Sequence, residues 1–253
     1  MPEHEVGSGI YVYAIVAAGD LPDQEFAGLA GAPLELVELG PLAAVVSPAR
    51  SDVRASVRAD LMAHTRVLDW LAERATVIPV AFGTIVEDRE TVIAGVLEPG
   101  AEVYVDMLGR LRGTSQYNLR GVYVRERVLS EIVLADPGLA ELHRRTRDLP
   151  QDQPHPELIR LGEAVSVALE RRRADDSDRI LRAVSPHVTD LRDRVGSDMD
   201  QVFNVAMLVP ESHRLAVEST LEEIAEVEHE RLRLQLTGPF PAYDFVGGSS
   251  WAS

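Results

Sequence analysis

The chain of 253 residues contains neither cysteine nor lysine. Without cysteine there are no disulfides, thiolate metal ligands, iron–sulfur clusters or cysteine nucleophiles, and the composition fits a reducing compartment. Without lysine there is no Schiff-base chemistry and no Walker-type phosphate-binding lysine. Arginine supplies all 25 basic residues. These two absences exclude several of the most common catalytic and cofactor-binding designs.

Long apolar runs are also missing. No run reaches the roughly 18 residues that a membrane-spanning helix needs, and the acidic start Met1–Glu5 lacks the charged-then-apolar order of a signal peptide. We therefore expect a cytoplasmic protein that has no membrane partner. Hydrophobic residues make up 45% of the chain and charged residues 26%, which is the balance of a globular protein that buries a core.

Positive charge is scarce in both halves of the chain. The net charge is −16, with 8 arginines against 17 acidic residues in 1–112 and 17 against 24 in 113–253. Because a nucleic-acid surface needs a basic face, we expect no nucleic-acid partner. The stretch 110–147 is locally basic, with 8 arginines against 4 acidic residues. Two interpretations of it stay open: arginines spread over solvated helix faces, or a docking patch for an acidic partner.

Hydrophobic patterning predicts two α+β domains, of which the first covers residues 1–112. Its expected strands are 10–16, 34–39, 42–46 and 76–80. A helix capped by Asp52 and ending near Leu71 precedes the fourth strand, and a second helix starts near Asp88 and resumes over 101–111, which gives the order β-β-β-α-β-α. The dipeptide Gly40-Pro41 reads as a hairpin turn, and Pro99-Gly100 interrupts the later helical stretch. The first helix carries one apolar stripe that we expect to face a core: Val53, Val57, Leu61, His64, Leu68 and Leu71.

The second predicted domain covers residues 113–253 and includes the C-terminal tail. Its expected strands are 117–125, 201–209 and 231–236, and its expected helices are 126–134, 137–147, 157–173, 176–194 and 210–227. This order suits a ferredoxin-like, split βαβ fold with additional helices in its first crossover. The predicted fold class is therefore α+β, with a small mixed sheet and helices in the N-terminal domain.

No known arrangement of catalytic residues is visible, since the G-x-S-x-G, G-x-G-x-x-G and H-E-x-x-H motifs are absent. His64 lies on the apolar stripe and is interpreted as a core histidine. His229 lies in 226–230, which runs from a helix into a strand, so its acidic neighbours would not converge on a metal. We expect no catalytic residue, cofactor or metal, and no enzyme activity. The acidic cluster after 171–173 is interpreted as a solvated face or helix junction: Asp175, Asp176 and Asp178.

The most distinctive segment is the aromatic strip near the C-terminus, Thr237–Val246. Aromatic residues are 5% of the chain, yet three fall within Phe240–Phe245. Prolines at 239 and 241 favour an extended backbone. The strip either packs on its own domain or presents an aromatic anchor to another protein. The candidate interface residues are Phe82, Gly83, Gly238, Pro239, Phe240, Pro241, Tyr243 and Phe245.

Several stretches make the chain resemble the gas vesicle synthesis proteins of the F and L family. They are Tyr11–Ile15 (YVYAI), Val77–Thr84 (VIPVAFGT), and Phe203–Pro210 (FNVAMLVP) joined to Gly238–Phe245 (GPFPAYDF). Their order and spacing span nearly the whole chain.

The resemblance implies an assembly factor that acts at the gas vesicle. Its expected partners are the small, hydrophobic gas vesicle shell protein and other gas vesicle accessory proteins, bound in a chaperone-like way during vesicle nucleation, and some members are regarded as minor vesicle components. Two alternatives stay open. One is a small-molecule enzyme or sensor with a ferredoxin-like cleft, which a pocket combining His64 or His229 with convergent carboxylates would favour. The other is a homo-oligomeric scaffold closed by the aromatic strip.

Overall fold

The computed structural model describes residues 9–20, 26–49, 57–147, 155–196 and 198–246. Helices and antiparallel sheets are combined in it, so the predicted α+β class is confirmed. The chain divides into two compact units: residues up to Gln116 together with those from Pro239 form unit 1, and Tyr117–Gly238 form unit 2. The sequence places the boundary at Gly113 and the tail in the second domain, whereas here the chain returns to unit 1 at Pro239.

The sheet of unit 1 has the strand order β2-β3-β1-β4, and β5 also pairs with β1. Its strands are β1 Ile10–Ala17, β2 Glu35–Leu39, β3 Leu42–Pro48, β4 Ile78–Pro79 and β5 Ile85–Val86. The predicted β2–β3 hairpin is confirmed by the pairing of Leu39 with Leu42. Its turn uses a left-handed backbone at Gly40, where φ is 56°, a conformation that glycine adopts without a steric penalty. The two-residue strand β5 is too short to show in the sequence pattern.

Strand β1 is buried on both faces, which explains its near-continuous apolar run. A β-bulge between Val12 and Ala14 shifts the usual alternation of side chains. As a result one core cluster receives four β1 residues: Tyr11, Tyr13, Ala14 and Val16. Val12 and Ile15 point to the opposite face by strand alternation. The strand therefore supports side chains on both of its sides.

The helices of unit 1 are α1 Val57–Ala72, α2 Arg89–Thr91 and α3 Ala101–Leu111. The predicted helix start near Asp88 is confirmed, since its carboxylate caps the helix by accepting from Thr91 N at 2.8 Å. One π-helical turn over Val92–Leu97 and a 3₁₀ turn over Glu98–Gly100 connect α2 to α3. The predicted interruption at Pro99-Gly100 is thus confirmed.

The apolar stripe of α1 continues beyond the core. His64, Leu68 and Leu71 are buried as predicted, but Val57 and Leu61 are 72% and 46% exposed. The prediction that the whole stripe faces a core is wrong at these two positions, because core residues pack against α1 only from Ala63 onward. The remaining stripe residue, Val53, and the proposed cap Asp52 lie outside the described residues.

Unit 2 contains a four-stranded sheet with the order β7-β8-β6-β9. Its elements are β6 Thr114–Tyr123, α4 Arg125–Ala135, α5 Pro137–Thr146, α6 Pro156–Val184, β7 Asp190–Asp193, β8 Gln201–Pro210, α7 Arg214–Glu228 and β9 Leu232–Phe240. One core cluster joins the sheet to its helices. This order of elements is that of a split βαβ unit, and a ferredoxin-like fold for this unit stays a prediction.

The prediction of two separate helices over 157–173 and 176–194 is wrong. A single helix, α6, runs unbroken over Pro156–Val184, and strand β7 occupies Asp190–Asp193. The interpretation of Asp176 as solvated is also wrong, since its side chain is 5% exposed. Asp176 accepts from Arg231 at 2.6 and 2.8 Å and from Tyr123 Oη at 2.8 Å. Burial would raise the pKa of Asp176, but the hydrogen bonds from Arg231 and Tyr123 lower it to about 2. The aspartate therefore joins α6 to the ends of β6 and β9 as a buried anion.

The arginines of 110–147 form ion pairs within the chain. Five of them contact carboxylates: Arg120, Arg125, Arg127, Arg144 and Arg145. This pattern favours the interpretation as solvated, internally paired faces over a docking patch. No helix in the described ranges is long and apolar enough to cross a membrane.

Candidate functional site: an apolar groove in unit 1

Unit 1 contains an open groove of about 510 Å³ whose walls are mostly apolar. Strand β1, helices α1 and α3, the β4–β5 segment and the C-terminal turn supply its lining. The lining residues are Ile15, Leu61, His64, Thr65, Ile78, Pro79, Val80, Ala81, Phe82, Tyr104, Met107, Tyr243 and Val246. A concave apolar surface built from five separate segments is a typical binding site.

Three large side chains on the groove face solvent: Leu61, Phe82 and Tyr243 are 46%, 40% and 39% exposed. We call these three residues the rim. Single exposed apolar residues are common on proteins, but a contiguous apolar surface indicates contact with another molecule. The rim therefore marks the groove as a candidate interaction surface.

A chain of hydrogen bonds fixes one wall of the groove. Gly83 N–H donates to the Tyr11 hydroxyl oxygen at 2.9 Å, and that hydroxyl lies 3.0 Å from His64 Nδ1. The Val80 backbone accepts a hydrogen bond from the neutral His64 ring, so Nδ1 carries no proton and accepts from the Tyr11 hydroxyl. We call this set of contacts the His64 relay; it ties α1 and β1 to the segment that carries Phe82.

Burial sets the charge state of the relay. The His64 side chain is 4% exposed, and burial lowers its pKa to about 4 although the Val80 hydrogen bond opposes the shift. Burial likewise raises the pKa of the Tyr11 hydroxyl to about 12. Both groups are therefore neutral near pH 7. The prediction of a buried histidine at position 64 is confirmed.

Phe82 reaches the rim because of the turn that follows it. Gly83 has φ +88°, a left-handed conformation that is strained for residues with a Cβ atom. The Phe82 ring meets His64 edge-on with a centroid distance of 5.6 Å and lies 6.4 Å from the Tyr11 ring. The relay and the turn together hold an exposed phenylalanine in one position.

The C-terminal strip is packed at some residues and presented at others. Phe245 is 4% exposed, whereas Tyr243 is 39% exposed and lines the groove. Pro241 is buried and Phe240 is half-buried at the end of β9. Gly238 and Pro239 are exposed and do not line the groove. Of the candidate interface residues, the structure brings Phe82 and Tyr243 together in the groove and places Gly83 beside it.

A pair of hydrogen bonds anchors the strip. The buried Gln116 side chain donates to the Asp244 carboxylate and accepts from Asp244 N at 2.9 Å. A buried carboxamide with both its donor and its acceptor engaged is a stabilising contact rather than a cost. Asp244 is thereby held next to Tyr243, so this contact sets the position of the rim tyrosine.

Sequence reasoning missed Leu61, Tyr104 and Met107 as groove residues. The pattern assigns Leu61 to the core, and the helical spacing of Tyr104 and Met107 on α3 indicates an apolar face without saying what covers it. Their convergence depends on tertiary packing.

The groove offers little for catalysis. Among the described residues, its lining holds one histidine, which is engaged in the relay, and no carboxylate. Within the described residues, no group of three or more histidine, aspartate or glutamate side chains is placed to hold a metal ion. His229 is exposed and bonds the Glu226 carbonyl on its own helix. What this arrangement provides is an apolar surface for binding.

The chain is similar to known gas vesicle proteins over almost its whole length. The family described as gas vesicle synthesis protein GvpL/GvpF matches residues 9–247. Gas vesicle protein F of Streptomyces sp. (strain CB03234) is 32% identical over 93% of this chain and 98% of its own. Gas vesicle protein L1 of Halobacterium salinarum is 24% identical over 96% and 92% of the two chains.

The fold is also that of a solved relative. The crystal structure of the gas vesicle protein GvpF from Anabaena sp. PCC7120 superposes with a TM-score of 0.84 at 20% identity. The match covers 96% of this chain and 99% of the Anabaena chain.

We expect the His64 relay to make stability depend on pH. The pKa of His64 is about 4 in the folded chain against an ordinary value of 6.5, so between these values the unfolded chain binds a proton that the folded chain does not. Stability therefore falls as pH is lowered through this window, by about 2 kcal/mol from pH 7.5 to pH 5. Urea unfolding of the natural protein and of His64→Gln measures the difference. Equal pH slopes for the two would contradict the assignment.

Truncation of Tyr243 and of Phe245 is expected to lower the free energy of unfolding by different amounts. Phe245→Ala removes a buried aromatic ring and is expected to lower the free energy of unfolding by roughly 3 kcal/mol. Tyr243→Ala is expected to change it by less than about 1 kcal/mol because that side chain is partly solvated. Urea denaturation of both variants tests this, and a larger loss for Tyr243→Ala would show that the strip is packed throughout.

Proposed function

The chain belongs to the gas vesicle synthesis protein GvpL/GvpF family and has a gas vesicle-related role, and from this premise we propose that its apolar groove binds the gas vesicle shell protein during vesicle assembly. The protein then acts as a chaperone-like, non-enzymatic assembly factor. It covers hydrophobic surface of the shell protein before that surface is buried in the growing vesicle. Other gas vesicle accessory proteins are the second class of partner in this proposal.

The exposed apolar rim is the observation that carries the proposal. Leu61, Phe82 and Tyr243 come from three separate segments and leave apolar surface in water around one groove. Exposing such a surface is unfavourable unless a partner covers it. A small, hydrophobic shell protein that has not yet assembled presents a matching surface.

The rigidity of the groove also supports binding. The His64 relay holds Phe82, and the Gln116–Asp244 contacts hold Tyr243. A surface that is already in its binding conformation loses less conformational entropy when the partner arrives. Two rim aromatics held in this way are suited to act as anchor residues.

A small-molecule enzyme or sensor is not favoured. That alternative calls for a pocket in which His64 or His229 meets convergent carboxylates, whereas the lining residues that the structure describes include His64 and no carboxylate. The histidine is neutral and occupied by its partners. If the protein binds shell protein during assembly, it also associates with the growing gas vesicle.

Co-expression with the shell protein tests the groove. We expect Leu61→Gln and Phe82→Ser to weaken recovery of the complex at least tenfold, because each places a polar group on the apolar surface. Met62→Gln and Ile85→Ser are matched controls, since Met62 and Ile85 are 58% and 55% exposed but do not line the groove.

Thermal unfolding of all four variants separates a binding defect from misfolding. Equal recovery of the shell protein by folded groove variants and folded control variants would refute binding through the groove. Failure of the natural protein to bind shell protein at all would refute the proposed partner.

A further inference from the structure

We propose that the groove receives an α-helical segment of its partner, with an apolar stripe facing the groove and basic residues flanking that stripe. This inference rests on the proposed function and specifies the form of the bound segment.

The polar groups in the groove lining are largely engaged within the chain. The His64 ring contacts Tyr11 and Val80, and the Thr65 hydroxyl donates to the Leu61 carbonyl at 3.0 Å. An extended segment entering the groove would bring backbone N–H and C=O groups that find few partners there, which is costly. A helix satisfies these groups internally and presents side chains alone. The lining therefore selects a helix over a strand.

The neighbouring sheet edge does not accept an added strand either. Strand β4 consists of Ile78 and Pro79, and proline has no backbone N–H to donate. In the next residue, Val80, the N–H donates to the Tyr13 carbonyl at 2.9 Å and the backbone also bonds His64. Pairing by strand addition needs a row of free donors and acceptors, and this edge has few.

The charge around the groove favours a basic partner. Unit 1 carries 8 arginines against 18 acidic residues. The pKa of the Tyr243 hydroxyl is raised to about 12, by burial and then by the negative charge of Asp69. Asp69 thus places a negative charge near Tyr243 on the groove. Basic residues beside the apolar stripe would be attracted to this charge, and acidic ones would be repelled.

Three synthetic peptides of equal length, about 20 residues, test the inference on the full-length protein. The first has leucines at i, i+3, i+4 and i+7 spacing with arginine and glutamine elsewhere. The second has the same composition with leucines at every second position, which is a strand pattern. The third is the first with glutamate in place of arginine. Fluorescence anisotropy gives the dissociation constant of each.

We expect the basic helical peptide to bind at least tenfold more tightly than either of the others. We also expect Leu61→Gln to weaken it at least tenfold and Met62→Gln to leave it unchanged. Circular dichroism of the bound peptide should show helix.

Equal or tighter binding of the strand-pattern peptide would overturn the inference, and so would equal binding to the Leu61→Gln variant. If shell protein binds through the groove while the helical peptide does not, the helix inference fails and the proposed function stands. If no shell protein binds, the proposed function itself fails.

Discussion

The hydrogen bonds that link Gly83, Tyr11, His64 and Val80 are the interaction on which the candidate site depends. They join a sheet strand, a helix and a turn through two buried side chains. Ordinary strand alternation puts Tyr11 and Tyr13 in the core cluster that α1 covers, and the β-bulge in β1 adds Ala14 and Val16 to it, while Ile15 lines the groove. Burial lowers the pKa of His64 to about 4, so the ring is neutral near pH 7 and its unprotonated nitrogen accepts from the Tyr11 hydroxyl.

Hydrogen bonds of the buried Gln116 side chain also fix the side of the groove that carries Tyr243. Gln116 and Asp244 are far apart in sequence, yet they exchange hydrogen bonds that place Tyr243. Polar contacts inside unit 1 thus fix where apolar side chains are exposed. Side chains held in this way lose little conformational entropy on binding, which suits the proposed capture of hydrophobic shell protein. Unit 2 has its own buried ionic contact at Asp176.

Local pattern was sufficient for most elements but not for the site. The β2–β3 hairpin, the helix start near Asp88, and the core position of His64 follow from turn chemistry and periodicity. The exposure of Leu61 does not follow from them, because an apolar stripe in the sequence is the same whether its residues face a core or solvent. The sequence pattern also does not show that α6 continues through Asp176. A carboxylate is favourable in a buried position when a cation pairs with it, and the cation here is Arg231, which is distant in sequence. The sequence identifies Phe82 and Tyr243 as candidate interface residues. It does not show that they line one groove, because that depends on tertiary packing.

Site-specific photocrosslinking measures directly whether the rim of the groove touches the shell protein during assembly, as proposed. A benzophenone amino acid is placed at Phe82 or at Ile85, which is similarly exposed but outside the groove, in cells that produce gas vesicles. We expect irradiation to link shell protein to the chain from position 82 and not from position 85. Crosslinks of equal yield from both positions, or none from position 82, would contradict it.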